Sequence, residues 1–204
     1  MKILFQTESG LYGFKDPDGE IVIAPIYDFA LPFSEGMAVV CRGGKMGYGK
    51  TGFIGESGEI IIDFIYDGAR SFSEGLAQVE RVVNGVRTTG FIDKKGETVI
   101  PMIYNYAMSF HYGVAPVCIG ESWVNGRFGC IDKNGRIVIP IEYSYLELIG
   151  QDRFIVKQNG KWGIIDRSEN PVTPYFDSQK ALQNYLSDHS SQFGCIANIG
   201  GASF

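Results

Sequence analysis

The chain has 204 residues, 45% of them hydrophobic, with 27 Gly, 14 Phe and 11 Tyr; this is a composition of short strands joined by tight turns, not of a helical bundle. Net charge is −5, and no Lys/Arg cluster exceeds a pair such as Lys94-Lys95, so a nucleic-acid partner, which needs a basic face to neutralise phosphates, is not expected. No apolar run approaches the ~18 residues of a membrane span, and Met1–Glu8 is too polar for a signal peptide, so a cytoplasmic protein is expected, with a mature secreted or envelope form as the alternative.

In chain order, the sequence opens with a strand near Leu4-Phe5 and a turn at Ser9-Gly10. It then reaches the first of five glycine anchors, each followed by a mostly apolar pair. The anchors Gly13, Gly52, Gly90, Gly129 and Gly163 are separated by 39, 38, 39 and 34 residues. Six residues after the first four comes a second glycine (Gly19, Gly58, Gly96, Gly135), and fourteen after them a tyrosine (Tyr27, Tyr66, Tyr104, Tyr143). In the first three copies position twenty is Phe33, Phe72 and Phe110, and position twenty-three is Gly36, Gly75 and Gly113. Ala38, Ala77 and Ala115 follow two residues later. The shared register defines about five tandem copies of one β-hairpin unit roughly 38 residues long.

Within a copy, Asp16-Pro17-Asp18-Gly19 has the residue preferences of a type I turn closed by a glycine bulge, and Asp93–Gly96 and Asp132–Gly135 repeat it without the proline. The β-branched runs that follow, such as Glu20–Ile23 and Glu59–Ile62, predict a second arm ending near the tyrosine. A further strand is predicted over Met37–Cys41, Leu76–Glu80, Val114–Cys118 and Phe154–Lys157. Period two points its Ala or Phe and then Val inward, with Gln78, Glu80, Pro116 and Lys157 on the other face. Pro116 marks an edge or loosely paired strand, because it has no N–H for a ladder. Asn84-Gly85, Asn125-Gly126 and Asn159-Gly160 turn the chain back towards the next anchor.

The fifth copy departs from the pattern, with Glu169-Asn170 in place of the turn glycine and no tyrosine at position fourteen. Beyond it, Ala181, Leu182, Tyr185 and Leu186 form one stripe of a short amphipathic helix that covers the end of the last hairpin. Asp177 or Ser178 would cap it and Gly194 would close the region, leaving 194–201 as a strand or a flexible tail. The domain reading is therefore repeats over 1–176 and a capping helix with tail over 177–204.

Chemistry is sparse. The recurring acids Asp28, Asp67, Glu35 and Glu74 follow the repeat, which points to hydrogen bonding in turns and loops; a carboxylate rim for a cation or a basic peptide is the alternative. Asp16-x-Asp18-Gly19 lacks the remaining ligands of a calcium loop. Cys41, Cys118, Cys130 and Cys195 form no CxxC pair and are expected as buried free thiols. His111 occupies the slot of Ser34 and Ser73, and Asp188-His189-Ser190 are sequence neighbours only. Gly43–Lys50 lacks the P-loop spacing. No catalytic residue, metal or cofactor is expected. The repeated phenylalanines and tyrosines are expected to pack between neighbouring units; as the alternative, Tyr27, Tyr66, Tyr104 and Tyr143 are the candidate ligand-binding residues, able to line a groove for sugar rings or peptide side chains if exposed.

At Lys161-Trp162-Gly163 the chain resembles the WG-repeat (KWG-repeat) proteins, a bacterial β-repeat family named for that pair. Gly90–Tyr104 is similar to the first half of the family unit, and Phe72-Ser73-Glu74-Gly75-Leu76-Ala77-Gln78-Val79 to the second. The resemblance covers roughly residues 10–175, with Tyr12, Thr51, Thr89 and Phe128 in place of Trp in four copies and Leu148-Ile149 in place of the Phe element in copy four. It implies a binding role. The expected fold is thus an all-β hairpin-repeat array with a short C-terminal helix, preferably an open solenoid-like stack, with a closed propeller-like ring as the alternative. The expected function is noncatalytic binding of another protein. Alternatives are a carbohydrate or cell-envelope ligand held by the four tyrosines, or an enzyme site joining His189 or Cys195 to acids of copy four.

Overall fold

The computed structural model describes residues 2–44, 48–120 and 125–193. Within them the β-branched runs and glycine turns form five antiparallel sheets. The first joins β1 (Ile3–Gln6), β2 (Tyr12–Lys15) and β3 (Ile21–Tyr27). The second runs β4 (Phe29–Ala30), β5 (Met37–Arg42), β6 (Lys50–Gly55) and β7 (Ile60–Tyr66), and the third β8 (Gly68–Ala69), β9 (Ala77–Val83), β10 (Val86–Ile92) and β11 (Thr98–Tyr104). The fourth runs β12 (Tyr106–Ala107), β13 (Val114–Ile119), β14 (Arg127–Asp132) and β15 (Ile137–Tyr143), and the fifth β16 (Tyr145–Leu148), β17 (Arg153–Gln158) and β18 (Lys161–Asp166). Two compact units divide the chain, Met1–Ala115 with Lys133–Gly135 and Pro116–Asp132 with Arg136–Phe204.

The second arm of the first four hairpins ends on the predicted tyrosine. It is also bulged: Tyr12 faces Tyr27 while Phe14 faces Ile23, and Thr51 faces Tyr66 while Phe53 faces Ile62. The extra residues push the arm against the anchor. A Cβ on Gly13 would lie 2.7 Å from the Ile23 carbonyl oxygen, and one on Gly52, 2.5 Å from that of Ile62. Gly90 and Gly129 meet Ile100 and Ile139 in the same way. Only glycine fits opposite such a bulge.

The turns close as read. The Gly19 N–H donates to the Asp16 carbonyl at 3.1 Å, and Asp16 Oδ1 accepts from the Glu20 N–H at 2.9 Å. In the fifth copy Glu169 takes the glycine place at φ +62°, donating its N–H to the Asp166 carbonyl at 3.0 Å. The tyrosine place there is not vacant. Phe176 pairs with Trp162 through two 2.7 Å backbone bonds, the counterpart of Tyr27 on Tyr12, because the second arm is one residue shorter.

In the first unit one stacking rule recurs. The second sheet lays Ala38, Val40 and Ile54 against Phe14, Ile23 and Tyr27 of the first. The third lays Ala77, Val79 and Ile92 against Met37, Val39, Phe53 and Tyr66 of the second. Phe14–Phe33, Phe53–Phe72 and Phe91–Phe110 pack with ring centroids 4.8, 5.1 and 4.8 Å apart, as expected for the repeated phenylalanines. Both faces of β5 are therefore buried, and so is Gln78, against the expected inward–outward alternation. A strand with a sheet on each side has no solvent face.

Pro116 is likewise buried, in β13, which has a neighbouring strand on both sides and is not an edge. The equivalent Val39 and Gln78 carbonyls accept from the Leu31 and Arg70 N–H groups at 3.0 Å. That position aims its polar groups at the short first strand of its sheet, so a missing N–H breaks no bond to the hairpin partner.

In the second unit α1 (Gln179–Asp188) and α2 (Ser190–Phe193) lay Leu182, Leu186 and Phe193 on Ile155 and Ile164 of the last sheet. Ser178 is the cap, its Oγ accepting from the Ala181 N–H at 3.1 Å. Cys195, Gly194 and the strand-or-tail alternative for 194–201 lie outside the described residues, as does the centre of the 42–50 loop. Gly52→Ala is expected to destabilise the fold by about 1–3 kcal/mol through overpacking, while Glu20→Ala, at an exposed site, stays within about 0.5 kcal/mol of the parent. Urea denaturation checks this, and equal midpoints for both variants would contradict the anchor's role.

Candidate functional site

The four tyrosines end β3, β7, β11 and β15 and are only 2–5% exposed. Tyr27 and Tyr66 belong to the cores between successive sheets. Burial pushes the Tyr66 and Tyr104 hydroxyls above their ordinary pKa, and it does the same to Tyr143, which donates to Glu169 at 3.3 Å. They take the core role, and the alternative in which they line an open groove finds them at 2–5% exposure. The bulge turns each one inward, where its ring packs and its face is closed to a sugar.

The recurring acids divide into two kinds. Asp28 Oδ2 accepts from the Gly43 and Gly44 N–H groups at 2.8 and 3.2 Å, and Asp67 Oδ2 from the Val82 N–H at 2.8 Å, so these two shape loops as read. Burial works to raise the Asp67 pKa, but the Lys50 ammonium 2.5 Å away and the Val82 N–H outweigh it and hold the carboxyl below its usual range.

Glu35 and Glu74 act between repeats. Each stands at positive φ, +52° and +54°, a conformation that disfavours a side chain. From there each carboxylate reaches forward one sheet. Glu35 accepts from the Gly75 N–H at 3.1 Å and pairs with Lys94 at 3.3 Å. Glu74 accepts from the Gly113 N–H at 2.9 Å and pairs with Lys133 at 3.4 Å. The preceding serines do the same, Ser34 Oγ donating to the Phe72 carbonyl at 2.7 Å and Ser73 Oγ to that of Phe110 at 2.6 Å. His111 and Tyr112 take these two places in the next copy, with no carboxylate to extend the series.

Of the residues weighed for catalysis, His189 is engaged within its own helix. The His189 ring stacks on Tyr185 and its Nδ1 lies 2.8 Å from the Tyr185 carbonyl. A cleft of about 400 Å³ in the copy-four region is lined by Arg127, Glu142, Ser144, Gln158, Asn159 and Gly160, without His189. Among the described residues no group of three or more His, Cys, Asp and Glu side chains is placed to hold a metal ion. Cys41, Cys118 and Cys130 are buried free thiols, and burial pushes Cys118 up to about 11 and Cys130 up to about 12.

What the repeat leaves outside is aliphatic. Val22 and Ile26 on β3, Ile61 and Ile65 on β7, and Val99 and Ile103 on β11 are 40–61% exposed. They stand at the same two positions of three successive edge strands, nine and thirteen residues after their anchors. Glu20, Glu59 and Glu97 recur beside them, seven after the anchors. The sequence carried this signal in its β-branched runs. The short strands β4, β8 and β12 were also missed, though Ala30, Ala69 and Ala107 recur at one offset and mark them.

Sheets of one hairpin unit, joined through repeated turn residues, define an all-β repeat protein. The WG containing repeat matches residues 12–45, 52–81, 90–123 and 128–162, more than half of the sequence, and the chain belongs to that family. A search of curated proteins finds no match. Among solved structures, a eukaryotic initiation factor is 10% identical with a TM-score of 0.43, over 87% of this chain and 62% of that one. TolB from Acinetobacter baumannii is 14% identical with a TM-score of 0.44, over 85% of this chain and 52% of that one. A protein of unknown function from Bacteroides caccae is 15% identical with a TM-score of 0.38, over 88% of this chain and 78% of that one. The chain thus spans less than two thirds of the first two.

Glu74→Ala is expected to cost about 1–3 kcal/mol, because the Gly113 N–H loses its acceptor as Lys133 loses its partner. Thermal or urea unfolding reads this out, and an unchanged midpoint would remove the clamp from the account. At pH 8 a thiol whose pKa is about 12 stays protonated, so Cys130 is expected to resist Ellman's reagent in the native protein and react on unfolding. Rapid native labelling at Cys130 would contradict its burial.

Proposed function

We propose that this chain is a noncatalytic repeat module of the cytoplasm that binds another protein through the aliphatic rows on β3, β7 and β11. The observation that carries the reading is the recurrence of exposed branched side chains at fixed positions of three edge strands. Scattered apolar residues on a surface need no explanation, but a periodic set on sheet edges is a docking surface or a liability. The edges discourage strand addition: β3, β7 and β11 are bulged, and Pro25 and Pro101 remove ladder donors. Contact is therefore through side chains, and the glutamate row favours a partner with Lys or Arg beside its apolar residues. The buried thiols at Cys41, Cys118 and Cys130 support a reducing compartment. The engagement of the recurring acids and His189 in the fold supports a noncatalytic role. With the tyrosines buried, the carbohydrate reading has no surface to rest on.

A photo-crosslinking residue placed in turn at Ile26, Ile65 and Ile103, in the native cells, is expected to give the same discrete adduct from all three positions. Ile65→Asp should weaken that complex by about 2 kcal/mol or more with an unchanged unfolding midpoint. No adduct from any position would sink the proposal.

A further inference from the structure

By the stacking rule of the first unit, Ile3, Phe5 and Lys15 in the first sheet are the register counterparts of Ala38, Val40 and Ile54 in the second and of Ala77, Val79 and Ile92 in the third. The six later residues are wholly buried under the preceding sheet. The three in the first sheet have no such cover among the described residues. Ile3 is 45% exposed, and Phe5 and Lys15 are partly exposed. Ile3 and Lys15 stand opposite one another across β1 and β2. The turn glycines tell the same story: a Cβ on Gly58 or Gly96 would touch Ile23 or Ile62 of the sheet before, whereas nothing lies within 4 Å of one on Gly19.

The face is not shaped to receive another sheet of this repeat. Ile replaces Ala and Phe replaces Val, and at the repeat's own sheet spacing the added volume would overpack the junction. A second copy stacked in register is disfavoured for that reason. In the second unit, the outer face of the last sheet is covered by a helix, Leu182 and Leu186 of α1 resting on Ile155 and Ile164. The forward side of the unit, where it ends the repeat, is therefore covered by an amphipathic helix. Charge supplies the remaining term. The Lys15 ammonium lies 4.5 Å from the centre of the Phe5 ring and has no carboxylate partner among the described residues.

We propose that the open face formed by Ile3, Phe5 and Lys15 docks an amphipathic helix of another protein, which sets aliphatic side chains on Ile3 and Phe5 and an Asp or Glu against Lys15. The proposal rests on the protein-binding reading and places a second contact, distinct from the edge rows, on the same module. Docking lifts Lys15 from a solvated cation over an aromatic ring to a charge-paired group at the rim of an apolar interface, which sets orientation and discriminates between helices.

The test places the photo-crosslinker at position 3 and, in a separate protein, at position 61, in the native cells, and identifies the crosslinked segment by mass spectrometry. A segment with helical apolar spacing and an acidic residue is expected at position 3. Lys15→Glu should lower its yield about tenfold, and reversal of the partner's acid to Lys should restore it. A position-3 adduct with this same chain, an adduct on a segment without an acidic residue, or insensitivity to Lys15→Glu would overturn the proposal. An adduct at position 61 with none at position 3 overturns this inference alone; failure at both overturns the protein-binding reading with it.

Discussion

A carbonyl oxygen 2.5–2.7 Å from the place where a Cβ would sit is the constraint on which the first four repeats depend. It exists because the second arm of each hairpin is longer than the first between matched pairs, so that its backbone buckles over the anchor. The buckle does three things at once. It bends the edge strand, turns the terminal tyrosine inward opposite Tyr12, Thr51, Thr89 or Phe128, and sends the chain directly into the short first strand of the next sheet. The variable residue before the anchor then has a simple meaning. It needs only to pack beside an inward tyrosine, whereas the glycine admits no substitute.

A stack built by one rule has a difficulty only where the rule stops. On the last sheet the solution is covalent, a Ser178-capped helix whose leucines take the place of a following hairpin. On the first sheet it is chemical: Lys15 stands where its counterparts are isoleucine. Terminal repeats with polar substitutions keep such faces soluble. The enlarged apolar residues Ile3 and Phe5 run against that trend, and for this reason the face reads as a contact surface as well as a cap.

Much of this was legible in the residues. The anchors, the Asp-x-x-Gly turns, the tyrosine strand ends and the capping stripe Ala181-Leu182-Tyr185-Leu186 all follow from local chemistry acting at fixed spacing. What failed needed information from a second sheet. Gln78 looked like a solvent-facing residue, and Pro116 an edge marker, because period two describes a sheet with one wet face. The tyrosines stayed open between core and groove because repetition alone does not say which way a ring points; the bulge decides that, and it involves two strands. Glu35 and Glu74 sit in left-handed turns that favour glycine or asparagine, a local rule broken in favour of partners about forty residues away.

Those two glutamates give the first unit a direction. Each holds donors that belong to the sheet after it, so the melting of one repeat strips acceptor or donor from its neighbour and the loss propagates along the chain. Stability then behaves as a line of coupled neighbours, with each junction adding its own term. Where His111 and Tyr112 replace Ser and Glu, the carboxylate that would carry the coupling onward is gone, three residues before the boundary of the unit at Ala115.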